Sequence, residues 1–298
     1  MAVKVIQIPT INDAAADFQK LFMLLSQVNG TKEDVQFGFD LCNFLGPNAV
    51  AFLGGVARLI EARSGSVCFD WSSLKSNKTL ESLCNNGFAQ TFGYESDMQR
   101  IDTIPYREDR LLDMNNIMDY LTLNWIGNGW VHVSPRLRDA IAGRMWENYS
   151  NAFEHSGTPV GVFSCGQLFR RHKNLILSVV DFGRGIPTNV RTFLRQYADE
   201  SQVAQITDST CLKWAFGRGN TTCMGGVARG LGLDLLKEFV RINQGKLEVY
   251  SNKGYAIIDH TGESFESRKR EFGGTVMHIT LRCDENLYRF RDEAEPSI

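Results

Sequence analysis

The sequence predicts an α/β domain followed by an α+β domain, a two-layer sandwich in which helices cover one face of an antiparallel-rich sheet. Strand and helix patterns alternate up to about residue 93, a polar stretch follows, and later strands adjoin one another without an intervening helix. The chain has 298 residues, 43% of them hydrophobic, which is enough for two packed cores. We place the first domain at 1–95, a linker at 96–110 and the second domain at 111–298.

In the first domain, the predicted strands are "VKVIQI", "DVQFGFDL" and "SVCFDW". The predicted helices are "AADFQKLFMLLSQV", "GPNAVAFLGGVARLIEARSG" and "NKTLESLCNNGFAQTFG". Pro47 and Asn48 at the start of the second helix and Gly65 after its end are typical helix boundaries.

The second domain is preceded by "YESDMQRIDTIPYREDR", which is polar, charged and interrupted by Pro105, as expected of a linker. A long helix then begins with Ser134 as its N-cap and Pro135 in its first turn. The apolar strand "NLILSVVDFG" ends in a glycine-rich turn. The segment "KLEVYSNKGYAIID" is predicted to be a hairpin that turns at "SNKG".

Composition excludes several classes of partner. Lys and Arg number 32 against 34 Asp and Glu, so a net charge of -2 indicates no general affinity for nucleic acid or for an anionic membrane. No apolar run is long enough to span a bilayer. The seven cysteines form no CxxC pair or Cys/His cluster, which favours free thiols in a reducing, cytoplasmic location.

The stretch "MWENYSNAFEHS" places a carboxylate and a carboxamide, Glu147 and Asn151, one helical step of four apart on one face. A carboxylate there can act as a general base, and an amide oxygen is a suitable ligand for Mg²⁺. The alternative is two ordinary surface residues. His155 continues the same face, and we interpret it as structural.

Two glycine-rich segments follow the helix. In "DFGRGIP", Asp181 ends an apolar strand and is followed by Gly183 and Gly185, so a ligand's exocyclic amine could approach a buried carboxylate. An ordinary turn is the alternative. In "GGVARGLGLDLL", glycines at the start of an apolar helix are typical of a phosphate site, although the spacing matches neither a Walker A loop nor a Rossmann fingerprint.

In this order, the three motifs resemble the ATP-binding domain shared by DNA gyrase, heat-shock chaperone ATPases, histidine kinases and mismatch-repair ATPases, called GHKL, over about 134–282. The resemblance implies the Bergerat ATP-binding fold with ATP and Mg²⁺ as cofactors. It makes Glu147 the general base and Asn151 the Mg²⁺ ligand. Asp181 corresponds to the carboxylate that reads adenine, with Gly183 and Gly185 shaping the base pocket, and Thr275 in "GGTVMHITL" to a residue that holds adenine through water.

The same resemblance assigns the phosphates to Gly230, Leu231 and Gly232. It makes the polar section 187–229 a lid over the nucleotide, with Arg218 and Arg229 as candidates for phosphate contact.

The first domain resembles the STAS fold of anti-sigma-factor antagonists, in which a strand, a loop and a helix present a regulatory Ser or Thr. At the expected phosphoacceptor loop the chain reads "FLGPNAVAF", with Gly46, Pro47 and Asn48 and no hydroxyl. The resemblance therefore implies a docking or sensing domain rather than a phosphorylated switch.

Three functions remain open. The first is an ATP-hydrolysing switch whose nucleotide state controls the docking of the STAS-like domain or of a partner protein. The second is an anti-sigma-type Ser/Thr kinase acting on a separate STAS partner, and the third an ATP-responsive module without turnover. A two-component histidine kinase with its own phosphoacceptor is disfavoured, because His132, the only His between the linker and Glu147, lies in the β-branched "GWVHVSP" rather than on a helix. A histidine kinase that acts on a separate acceptor protein remains a further alternative.

Overall fold

The computed structural model describes residues 3–30, 32–97, 99–217, 220 and 232–293. The strands that it describes form two sheets, one three-stranded and parallel, the other five-stranded and antiparallel. The chain is therefore a mixed α/β protein, which confirms the predicted fold class at this coarse level. Within the described residues, no helix is long and apolar enough to cross a membrane.

The first sheet has the strand order β1-β2-β3, as expected for strands joined by crossover helices. Its unit consists of β1 (Val3–Gln7), α1 (Ala15–Val28), β2 (Asp34–Gly38), α2 (Pro47–Glu61), β3 (Val67–Asp70), α3 (Asn77–Asn85) and α4 (Phe88–Thr91).

The second sheet has the strand order β4-β5-β6-β8-β7. Its strands are β4 (Thr103–Asp109), β5 (Val162–Phe169), β6 (Asn174–Asp181), β7 (Lys246–Asp259) and β8 (Gly262–Arg282). The helices of this half are α5 (Met114–Asp119), which continues as a π-helix (Tyr120–Trp125), α6 (Pro135–His155), α7 (Ile186–Leu194), α8 (Glu200–Ala204), α9 (Asp208–Ala215) and α10 (Gly232–Ile242).

Helices cover both faces of the second sheet, whereas the sequence predicts helices on one face only; helices of the first unit cover the second face. On one face, Leu177 and Met277 pack in a core with α6, α9 and α10. On the other face, Val180 and Phe272 pack in a core with α1 and α2 of the first unit. Strand β6 is buried along nearly its whole length because helices cover it from both sides.

The linker prediction is wrong for 103–109, because these residues form the edge strand β4 and pair with β5. Ile104 and Tyr106 are buried in the two cores, whereas Arg107 forms an ion pair with Asp109. An edge strand tolerates Pro105, since one of its sides forms no hydrogen-bond ladder. The charged residues and Pro105 of this edge strand therefore give it the sequence pattern of a linker.

The hairpin prediction is also wrong in its turn. Strand β7 runs through "SNKG" with irregular pairing at Ser251, Asn252 and Gly254, and its turn to β8 lies at 260–261. Asn252 has a φ of 50° and Gly254 packs against Leu212, so turn-forming residues serve a β-bulge here.

Candidate functional site

Three polar residues line up across the end of the second sheet. Asp181 on β6 pairs with Thr275 on β8, and Thr275 pairs with Ser251 on β7. Residues paired directly across strands point to the same face. That face is the one covered by α6, because Val162, which pairs with Asp181 from the other side, packs in the same core as α6.

Asp181 is a buried carboxylate, with only 6% of its surface exposed. Burial raises its pKa to about 6, because the charged form loses water. Donors on Gly183, Ser156 and Thr275 oppose this effect, and the Gly183 N–H lies 2.9 Å from Asp181 Oδ1. The side chain is therefore an acceptor, held in a fixed position and still ionised at neutral pH.

The loop after Asp181 requires both predicted glycines. A side chain at Gly183 would overlap Ser156, which ends α6, and one at Gly185 would overlap Asn252. Gly185 also has a φ of 79°, which disfavours any other residue. These contacts press the loop against the end of α6 on one side and against β7 on the other.

Backbone hydrogen bonds secure the loop at both ends. The Arg184 N–H donates to the Ser156 carbonyl oxygen at 2.7 Å. The Ile186 N–H donates to Ser251 Oγ at 2.8 Å, and this hydroxyl donates in turn to the Gly274 carbonyl oxygen at 2.8 Å. The loop conformation is therefore set by three elements that are distant in sequence.

Helix α6 carries the other predicted residues. It begins at the predicted N-cap, where Ser134 Oγ accepts from the Leu137 N–H at 3.2 Å, and its inner face buries Ile141, Met145 and Tyr149. At about 1.5 Å per residue, Asn151 lies about 7.5 Å along the axis from Ser156, and Glu147 about 13.5 Å. The two residues therefore lie one after the other along α6, with Asn151 nearer to the end of the helix at Asp181 and Glu147 farther from it.

Glu147 and Asn151 differ in their surroundings. The Glu147 side chain is one-third exposed, and its Oε1 accepts from Arg144 Nη1 at 2.7 Å. Asn151 is exposed, so a ligand can reach its carboxamide from solvent.

The glycine-rich segment is described only at its end. Gly232 is the first residue of α10, and α10 packs against α6. The other predicted contacts, Arg218, Arg229, Gly230 and Leu231, lie outside the described residues. The predicted lid begins with α7, α8 and α9, and α9 packs against β7 and β8.

Three contributing residues were missed by sequence reasoning. Ser156 joins α6 to the loop, Ser251 joins β7 to it, and Phe182 packs behind it. Ser251 lies in the segment whose residues predict a turn, so the sequence does not indicate its contact with the loop. Ser156 directly follows α6, the helix that carries Glu147 and Asn151, and this position is the one sequence feature that could have indicated its contact with the loop.

Comparisons with known proteins assign no family to the chain. No model of a protein family matches it, and no curated protein is significantly similar to it.

Proposed function

We propose that the chain binds Mg·ATP along α6, between the end of β6 and the start of α10, and hydrolyses it as GHKL ATPases do. The observation that carries the proposal is the buried Asp181, held at the sheet end by a loop that contacts the end of the helix bearing Glu147 and Asn151. A buried carboxylate of raised pKa beside glycines required by close packing is typical of a binding site rather than of a surface turn.

Asp181 would recognise the base. Its carboxylate accepts a hydrogen bond from the exocyclic amine of adenine, and the Thr275 hydroxyl beside it would act through a water. Gly183 and Gly185 would shape the base pocket by letting the loop pack closely against Ser156 and Asn252.

The phosphates would lie farther along α6, near the N-terminus of α10. The positive end of a helix dipole and its free N–H groups favour anions. Asn151 would hold Mg²⁺, which, when bound, offsets the negative charge of the phosphates. From sequence, Gly230, Leu231 and Gly232 would surround the phosphates, with Arg218 and Arg229 as further contacts.

Hydrolysis would use Glu147 as the general base. Glu147 accepts a proton from a water, whose oxygen attacks the γ-phosphorus while the bond to the β,γ-bridging oxygen breaks and ADP leaves. Arg144, at 2.7 Å, holds the Glu147 carboxylate in place and keeps a positive charge on the same face.

The first unit would be the regulated part. In the STAS interpretation, α2 would offer its start to a partner, but Asn48 there is completely buried and no hydroxyl is present. An in-chain phosphoacceptor at this position is thus disfavoured. We therefore propose that nucleotide controls the docking of the STAS-like unit or of a regulatory protein, and we keep a kinase acting on a separate STAS partner as the second candidate.

The test compares the parent chain with Glu147→Ala, Asp181→Ala and, as a control on the same helix, Asp139→Ala. Calorimetry measures nucleotide binding and a phosphate assay measures turnover, both with Mg²⁺. We expect Glu147→Ala to bind without turnover, Asp181→Ala to lose binding, and Asp139→Ala, an exposed carboxylate, to match the parent.

Other results would contradict one part of the proposed function or favour one of the alternatives. A Glu147→Ala variant that hydrolyses ATP as fast as the parent would overturn the general-base role. Binding without phosphate release would favour the kinase or the non-hydrolysing module, and transfer of labelled phosphate to a STAS protein would separate these two. If the parent bound no nucleotide, the ATPase proposal would fail.

A further inference from the structure

We propose that α2 of the first unit acts on the nucleotide site from the opposite face of the sheet, because its Gly55 holds Phe182 and thereby positions Asp181. Phe182 and Gly55 are positioning residues in this proposal, which rests on the proposed function for its link to nucleotide.

Phe182 and its neighbour Asp181 connect the two faces of the second sheet through one stretch of backbone. It follows Asp181 directly, so the two side chains point to opposite faces, Asp181 toward α6 and Phe182 toward α2. Only 7% of Phe182 is exposed. Its ring lies 5.2 Å from that of Phe52 on α2 and 5.5 Å from that of Phe272 on β8, measured between centroids.

Gly55 allows α2 to reach this ring. A Cβ built at Gly55 would lie 2.0 Å from Phe182 Cε2 and 2.9 Å from Phe163 Cδ2, both far too close. Glycine is a poor residue for the interior of a helix, yet Gly55 stands in the middle of α2. The backbone of α2 thus contacts the Phe182 ring at Gly55, and any side chain at this position would displace the ring.

Displacement of Phe182 would reach the site through the backbone. The next residue, Gly183, donates its N–H to Asp181 Oδ1 at 2.9 Å. On the other side, a Cβ at Gly274 would overlap the Asp181 carbonyl oxygen, so β8 leaves no room for the loop to shift that way. If α2 displaces Phe182, the Asp181 carboxylate or the Gly183 N–H that donates to it therefore has to move.

The neighbouring glycine provides a matched control. Gly54 lies on the same helix turn, and a Cβ there would overlap the hydroxyl of Tyr106 on the edge strand β4. Gly54→Ala and Gly55→Ala thus make the same chemical change and a similar overlap, but only Gly55→Ala pushes Phe182. The double variant Gly55→Ala/Phe182→Leu removes the overlap with the Phe182 ring and leaves only the smaller one with Phe163.

The first readout needs no nucleotide. Hydrogen exchange of the amides at 183–186 is measured for the parent, both alanine variants and the double variant. We expect at least tenfold faster exchange in Gly55→Ala, parent-like exchange in Gly54→Ala, and recovery in the double variant. Equal effects of the two alanine substitutions would show ordinary packing and overturn the proposal.

The second readout is the Kd for Mg·ADP by calorimetry. We expect Gly55→Ala to raise the Kd at least tenfold, Gly54→Ala to change it less than threefold, and the double variant to recover most of the loss. If Gly55→Ala does not fold, Phe182→Leu decides, because it loosens the contact without overlap and should speed exchange at 183–186.

The two proposals fail separately. A parent that binds no nucleotide contradicts the proposed function, while hydrogen exchange still tests the contact. A parent that binds nucleotide, with a Gly55→Ala variant that is folded and unchanged in both readouts, contradicts this inference alone.

Discussion

Asp181 shows how a single residue acquires a role from its surroundings. Its carboxylate has lost nearly all contact with water, and hydrogen bonding from three neighbouring residues nevertheless favours its charged form. The balance of these effects sets its pKa at about 6, within the range where a small change in pH alters its charge.

This pKa predicts that nucleotide affinity depends on pH. The ionised carboxylate is a stronger acceptor for the adenine amine than the neutral acid is, so protonation of Asp181 weakens binding. We expect the Kd to be constant above about pH 7 and to rise below pH 6, by at most about tenfold per pH unit. Calorimetry between pH 5 and 8 checks this expectation.

The matching control is Asp181→Asn, which carries no titratable group at this position. It should bind weakly with little dependence on pH. A parent whose affinity stays constant from pH 7.5 down to pH 5 would contradict the role given to Asp181.

At the scale of an element, α6 has two functions. It buries an apolar face in the core of the second half, and it carries Glu147 and Asn151 at a fixed distance from the loop at Asp181. Its end is packed against that loop through Ser156 and Gly183, whereas a Cβ at Gly143, in its middle, would have no atom within 4 Å apart from the backbone of its own helix.

Two glycine-to-alanine substitutions should therefore have opposite effects. Gly143→Ala should raise the free energy of unfolding by up to about 1 kcal/mol, since alanine has a higher helix propensity than glycine and its methyl group would not overlap a neighbouring residue. Gly183→Ala should lower it by about 1–3 kcal/mol, because the new methyl overlaps Ser156. Urea unfolding of both variants measures the difference, and a stabilised Gly183→Ala would contradict the close contact.

At the scale of the whole molecule, the two units share a core. The aromatic rings of Phe18, Phe22 and Phe52 on α1 and α2 pack against Tyr250 and Phe272 of the second sheet. Burying each such side chain contributes about 1.5–3 kcal/mol. Each unit completes this core only in contact with the other.

The shared core predicts a single cooperative unfolding transition for the full chain. Calorimetry should show one heat absorption peak, with equal calorimetric and van't Hoff enthalpies. A fragment of residues 96–298 should expose the apolar face of its sheet, bind a hydrophobic dye and aggregate. Two separate transitions, or a fragment that folds alone and remains monomeric, would contradict this prediction.

Local patterns predicted much of the first unit. Helix α1 covers the residues expected from its periodicity, and α2 begins at Pro47. The N-cap of α6 at Ser134 was also predicted correctly, because capping depends on a few adjacent residues. Strand β4 and the bulge in β7 were missed, since proline, charge and turn residues at edges and bulges look like linkers and turns.

The sequence alone determined the succession of elements and the three motifs that predict a nucleotide site, because periodicity, capping and glycine spacing are local properties of the chain. Only the tertiary structure decided that Asp181, Thr275 and Ser251 form one row, that Ser156 ties α6 to the loop, and that α2 packs behind Phe182. These contacts join residues far apart in sequence. Their formation depends on strand register and on the close approach of helices, which no local pattern specifies.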